Sequence, residues 1–457
     1  MAKKKSSFVC TECGETFLKW VGRCTSCGAY NTIKEFRESV SAKHTDRYTG
    51  FLPDTESAGV VRKLSEYTAG AVSRISTGFP EVDMVLGGGV VPGEVCLIGG
   101  SPGIGKSTLL LQIAAYLSQH VGSVLYVSGE ESLEQISLRA RRIGCIDADI
   151  QAVAETAMEK ISDHMGRMTP AFVVIDSIQT LHTSYIDSSP GSISQVREST
   201  ALIAKLAKQL NIPVFIIGHV TKNGSLSGPR VLEHMVDAVL HFEGDSNYSY
   251  RFLRGLKNRF GPAGEVALLD MKHSGLHELS QGARFLLNSA SLEKPGTAVV
   301  PLLEGSRVLM VEVQALVTQS HFGLPQRVAA GINQKKLALI VAVLEKYANI
   351  SLGGYDIFIN ITGGFRVHEP AVDLAIAAAI VSSFRNISLG RGTSFTGELG
   401  LSGELRPVAD MEKRIREAGT LGFSRLVCPP LGECSAPKGD ISLVICEDIA
   451  GMIEQLL

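Results

Sequence analysis

No stretch of this 457-residue sequence approaches the roughly 18 uninterrupted apolar residues that a bilayer-crossing helix needs. Runs such as Ala375 to Val381 are far too short, so no integral membrane protein is expected. Charge of one sign is not in excess either: 44 Lys and Arg stand against 46 Asp and Glu, a formal charge of −2. Without a global basic field, any site for a polyanion must be local. Nine cysteines in so long a chain are too few for a disulfide scaffold. No secretory leader is expected. The basic start Lys3-Lys4-Lys5 is followed by Cys10-Thr-Glu-Cys13, where an apolar stretch would have to stand. A cytoplasmic location is expected. Tandem repeats of solenoid period are absent too.

What is present is the composition of a soluble globular protein, 45% hydrophobic and 20% charged, with length for two or three domains. Residues 1–36 form a small cysteine module, and 37–65 are polar and weakly periodic, as in a linker. In 66–285, short, nearly continuous apolar runs (Val95-Ile98, Val124-Val127, Phe172-Ile175, Val214-Ile217) alternate with helical segments. Strands buried on both faces read this way, which predicts a mostly parallel α/β sheet. Residues 286–457 restart the pattern. Strands are expected at Thr297-Leu302, Arg307-Leu316 and Asp356-Ile361, with an amphipathic helix at Lys335-Tyr347 and an Ala-rich helix from Ala371 to about Ser383.

Four of the cysteines lie within the first 27 residues, as Cys10-x2-Cys13 and Cys24-x2-Cys27, each pair followed by a glycine. Two such knuckles can wrap four thiolates around one tetrahedral Zn²⁺. A redox-active CxxC would require a thioredoxin-like βαβ context, which 36 residues cannot supply. The spacing does not say whether this module touches DNA or protein.

The segment Gly100-Ser101-Pro102-Gly103-Ile104-Gly105-Lys106-Ser107-Thr108 is a GxxxxGKS loop between a strand and a helix. Its amides can surround the phosphates of ATP, Lys106 can reach the β/γ oxygens, and Ser107 can ligate Mg²⁺. Asp176 closes the apolar strand Phe172-Ile175 and is the candidate carboxylate for holding Mg²⁺ through water; a plain helix cap is the alternative. Glu130, just past Val124-Val127, is the candidate for polarising the attacking water, with Glu131 its competitor. Lys257 and Arg259, one residue apart in a strand-like segment, project to one side. They either form an exposed basic turn or reach a neighbouring subunit's γ-phosphate.

Together, STGFPEVDMVLGGGVVPGEVCLIGGSPGIGKST, YVSGEES, FVVIDSIQT, Lys257-Asn-Arg-Phe-Gly261 and the four-cysteine start resemble the bacterial RadA (Sms) family of DNA repair proteins, which are RecA-like ATPases. The resemblance spans essentially the whole chain. It implies a RecA-type core, Mg²⁺-dependent ATP hydrolysis, binding of single-stranded and branched DNA, and a homo-hexameric ring. It also implies helicase-like branch migration of recombination intermediates alongside the recombinase RecA. Lys257 and Arg259 resemble the Lys-x-Arg pair that ring helicases use in trans. Loops 182–197 and 221–230 would face the channel, with Lys222 and Arg230 as DNA contacts; an idle surface loop would have the same composition. His219 is either a γ-phosphate sensor or structural.

Residues 286–457, with GGFRVHEPAVDLAIA and FTGELGLSGELRPV, resemble the Lon-protease domain (ribosomal S5 domain 2-like). Ala371 stands where the serine nucleophile would be and Glu412, beside Lys413, where the lysine base would be, so no peptidase activity is expected. Arg307, Arg327, Lys335, Lys336, Arg366, Arg385, Arg391 and Arg414 are expected on its surface, as a DNA face, a ring platform or solvated side chains. Besides a DNA motor, the sequence leaves two readings: a signalling ATPase that binds protein, or an ATP-dependent protease.

Overall fold

A computed structural model describes residues 6–10, 16–17, 19–25, 28–37, 63, 73–219, 231–244, 249–279, 287, 290–320, 323, 325–364, 366–431 and 441–456. The expected linker lies outside these except for Arg37 and Lys63. The chain divides into two compact units, residues 1–244 with 251–278, and residues 245–250 with 279–457. Among the described residues no helix is long and apolar enough to cross a membrane.

In the first unit, β1 (Ser6–Cys10), β2 (Thr16–Phe17) and β3 (Ile33–Arg37) make a small antiparallel sheet. The main body runs α1 (Pro80–Val85), β4 (Val95–Gly100), α2 (Lys106–His120), β5 (Val124–Ser128), α3 (Leu133–Arg142), β6 (Ile150–Ala154), α4 (Met158–Met168) and β7 (Phe172–Asp176). It continues with α5 (Ile193–Leu210), β8 (Val214–His219), α6 (Val231–Met235), β9 (Ala238–Glu243), β10 (Tyr250–Asn258), β11 (Val266–Lys272) and β12 (Gly275–Glu278). The strands form one sheet in the order β12-β11-β10-β9-β4-β8-β7-β5-β6. From β9 to β6 all neighbours are parallel, whereas β10 joins β9 antiparallel.

The apolar runs account for the layering. Every residue of β4, β5 and β7 is buried, because helices cover both faces of a parallel sheet. Cys96 and Ile98 of β4 pack with Leu109, Leu110 and Ile113 of α2. Val95 and Leu97 point the other way, into a core with Ile161 of α4 and Ile203 and Ala207 of α5. Leu110 has no exposed area, and its truncation to alanine would cost about 2–5 kcal/mol through lost contacts and a residual cavity.

The second unit comprises β13 (Thr297–Glu304), β14 (Arg307–Gln319), β15 (Arg327–Ala330), α7 (Gln334–Tyr347), β16 (Tyr355–Ile361) and α8 (Val372–Arg385), then β17 (Thr393–Phe395), β18 (Glu398–Leu399), β19 (Leu405–Arg406), α9 (Met411–Thr420), β20 (Arg425–Cys428), β21 (Ser442–Ile445) and α10 (Ile449–Leu456). Its larger sheet has the order β13-β14-β16-β15, and a smaller parallel one β17-β20-β21. Helix α8 is buried along almost its whole length; its alanines let it lie close against β13 and β14.

One surface expectation fails here. Arg414 is wholly buried: Nε donates to Ala409 O at 2.8 Å, Nη1 to Pro301 O at 2.5 Å and Nη2 to Glu369. A guanidinium with five fixed donors can be buried when carbonyls and a carboxylate receive them, and sequence alone does not show those receivers. Lys336 is likewise only quarter-exposed, paired with Asp373 at 2.5 Å.

Candidate active site

The glycine-rich loop leaves the Gly100 end of β4 and α2 starts at Lys106. Gly105, at the helix N-cap, has φ of 120°, a conformation that side chains resist. The Lys106 ammonium is buried and donates to Gly100 O at 2.8 Å and Ser101 O at 3.0 Å. Burial pushes its pKa down, with Asp176 and Glu130 opposing. Ser101, Pro102 and Gly103 are exposed, as a loop that is to meet an anion must be. A cavity of about 230 Å³ beside the first turn of α2 is lined by Thr108, Arg142, Ile143, Met271, Lys272, His273 and Gly275.

Strand register assembles the acids. Ser128 pairs with Asp176 across β5 and β7, so the residues that follow each strand come together. The Ser177 hydroxyl donates to Glu130, and Asp176 accepts from Tyr126 Oη at 2.7 Å. Burial raises the pKa of Asp176, with Glu131 and Glu130 adding to the rise and the Ser107 and Tyr126 hydroxyls opposing it. A buried carboxylate beside two others suits a divalent cation, which would relieve that repulsion. Glu131 is engaged by Arg139 at 2.5 Å, whereas Glu130 lies against Ser177. Tyr126, Ser177 and Arg139 escaped the sequence reading. Ser177, next to Asp176, offered an adjacency signal, but the other two are joined to the site only by register and packing.

Lys257 and Arg259 occupy another part of the sheet. Lys257 ends β10 with Asn258, and Nζ donates to Glu233 O at 2.6 Å and Val236 O at 2.7 Å. Burial lowers its pKa, and the neighbouring Arg259 charge adds to this. Arg259 donates through Nη1 to Asp237 Oδ1 and through its amide to Asp237 O, both at 3.1 Å. The rest of the motif fixes this corner. Asn258 Nδ2 donates to Val85 O at 3.3 Å, and Gly261 sits so close to Gly87 that a Cβ on it would lie 2.8 Å from the Gly87 Cα. Lys222 and Arg230 lie outside the described residues, and of His219 only the backbone, at the end of β8, is described.

In the first module, the Cys10 and Cys24 side chains are buried in one cluster with Ile33. Gly28 N donates to Cys24 O at 2.9 Å and Cys24 N to Ala29 O at 2.8 Å, turning the backbone back at the second knuckle. Two buried soft sulfur donors on such turns fit zinc. Cys13 and Cys27 lie outside the described residues.

Strand, glycine loop and helix, with a buried carboxylate at the end of β7, two strands over from β4, define a P-loop ATPase with a RecA-like core. Three family models match the chain: an AAA domain over residues 62–225, a rubredoxin metal binding domain over 8–35, and subunit ChlI of Mg-chelatase over 316–431. The chain is 46% identical over 444 residues to DNA repair protein RadA of Bacillus subtilis, covering 96% of each. It is 45% identical over 438 residues to that of Pseudomonas aeruginosa, covering 96% of this chain and 95% of the relative. It thus belongs to the RadA family of DNA repair proteins, with a zinc-ribbon module before the ATPase core and a Lon-like α/β domain after it. Among solved structures, a KaiC-like protein from Pyrococcus horikoshii OT3 is 17% identical, covers 46% of this chain and 100% of its own, and has a TM-score of 0.38.

Proposed function

We propose that this DNA repair ATPase is a cytoplasmic, ring-shaped motor whose copies assemble around DNA: hydrolysis occurs between adjoining subunits of a hexamer and drives helicase-like branch migration of recombination intermediates alongside RecA. Mg²⁺·ATP would be held by Gly100 to Thr108, with Ser107 and Asp176 toward the metal, Glu130 toward the attacking water, and the base in the cavity beside α2. Mg²⁺ supplies charge neutralisation at the phosphates. Zinc would be held by Cys10, Cys13, Cys24 and Cys27 and would hold the first module folded.

One observation carries the intersubunit reading. The phosphate loop leaves β4 at Gly100, while Arg259 is anchored on Asp237, whose amide and carboxylate both bond to Val95 at the other end of that strand. Six extended residues span about 16 Å, more than one arginine side chain can bridge. That separation supports a role for Arg259 at a phosphate other than its own subunit's, with Lys257 beside it. Mixing Lys106→Ala subunits with Arg259→Ala subunits should restore hydrolysis, and absence of rescue at any ratio would remove the trans role. Single-stranded DNA should raise turnover through loops 182–197 and 221–230, with Lys222 and Arg230 on the phosphates. An unchanged rate, with no binding at low salt, would sink the motor reading.

The Lon-like domain is proposed to lack peptidase activity and to act as scaffold or DNA contact. Ala371 is buried and has no hydroxyl, Glu412 is exposed, and Lys413 is 4.0 Å from Asp410.

A further inference from the structure

The Lys257/Arg259 corner contains a residue that no motif marks. Asp237 lies between α6 and β9 and is almost wholly buried, its side chain 4% exposed against 51% for Arg259. Its Oδ2 accepts the Val95 amide at 3.1 Å, which ties the carboxylate to β4. Oδ1 faces the cations, with Arg259 Nη1 at 3.1 Å and Lys208 Nζ of α5 at 3.5 Å. Lys257 clamps the same turn through the carbonyls of Glu233 and Val236. One fixed carboxylate thus organises a half-exposed guanidinium through one of its donors, leaving the remainder of the fork toward solvent.

We propose that Asp237 is the positioning residue of this ATPase: it locks the Arg259 guanidinium to β4 so that the outward donors of the fork are aimed at a neighbouring subunit's phosphates before nucleotide arrives. The inference rests on the trans role of Arg259 proposed above. Its physical basis is preorganisation. An arginine with several rotatable bonds would otherwise lose rotamer freedom on engaging the transition state, whereas one held by a buried acceptor has lost it on folding. Lys208, in contact with Oδ1, and Lys257, held on the Glu233 and Val236 carbonyls, add positive charge to the locale against Asp237 and Glu233.

The test is ATP turnover by the full-length chain in the presence of DNA. Asp237→Asn should lower kcat on the order of 10- to 100-fold, as expected for a misaligned reacting group, with KM for ATP within about twofold, since the variant's own phosphate loop is untouched. Asp237→Asn/Arg259→Ala should be no slower than Arg259→Ala alone, because Asp237 then has nothing to position. Mixing Asp237→Asn with Lys106→Ala subunits should restore turnover as it does for Arg259→Ala. Multiplicative losses in the double variant, or wild-type kcat in Asp237→Asn while Arg259→Ala is still rescued, would overturn the proposal and leave the trans reading intact. If Arg259→Ala is not rescued, the trans reading fails, and the double variant still decides whether Asp237 positions Arg259. Should Asp237→Asn melt early, Asp237→Glu keeps the charge and shifts it by one methylene. It should show a smaller kcat loss and the same dependence on Arg259.

Discussion

At the scale of single residues, the site separates groups that bind from groups that react. Lys106→Ala should abolish hydrolysis while leaving the melting temperature within a few degrees, since its hydrogen bonds go only to its own loop. Glu130→Gln should retain ATP binding but lose about 10²–10⁴-fold in single-turnover hydrolysis, the usual contribution of a general base. Glu94 offers a pH test. Its Oε2 accepts the Val91 amide at 2.9 Å, but Oε1 has no hydrogen-bond partner among the described residues. Burial pushes its pKa up to about 7, with Asp237 adding to the rise. In the unfolded chain this acid ionises near pH 4.5, so folding loses stability as pH rises from there to about 7, by roughly 3 kcal/mol. Glu94→Gln should therefore gain stability relative to wild type between pH 5 and 8, measured by denaturant titration. The phosphate-loop residues and Asp176 were legible because each motif is contiguous and sits where an apolar run ends. Asp237 and Tyr126 were not, since Val95 and Asp176 are brought to them from distant parts of the chain by strand pairing; Arg139 was not, because only the turn into α3 brings it back on Glu131, eight residues earlier.

At the scale of elements, the central strands could be read from their apolar runs, and the structure extends each by one or two residues: Val95-Ile98 runs on to Gly100, Phe172-Ile175 to Asp176. The antiparallel strands β10 to β12 were not read as such, because direction of pairing leaves no mark in a half-buried pattern like that of β10. In the second unit, Arg414 joins α9 to the loop before α8 and to β13. Replacing it by alanine would leave a cavity, the Ala409 and Pro301 carbonyls without their donor and the partly exposed Glu369 without its cation, and should destabilise this unit by about 3–5 kcal/mol; a calorimetric scan resolving the two units would show the loss in one transition. In the cysteine module, Cys24→Ser should remove bound zinc, measured by metal analysis, and make residues 1–37 protease-sensitive while ATP hydrolysis without DNA persists.

At the scale of the molecule, the placement of functional groups along β4 matters more than their identities. The phosphate loop occupies the Gly100 end and the Asp237–Arg259 pair the Val95 end; under the proposed trans role, each copy would accept an arginine at one pole and offer one at the other. Such a contact is heterologous, and a two-fold dimer, which pairs like with like, cannot use it. An open row of copies always strands one unserved nucleotide at its terminus. Closure into a circle leaves none.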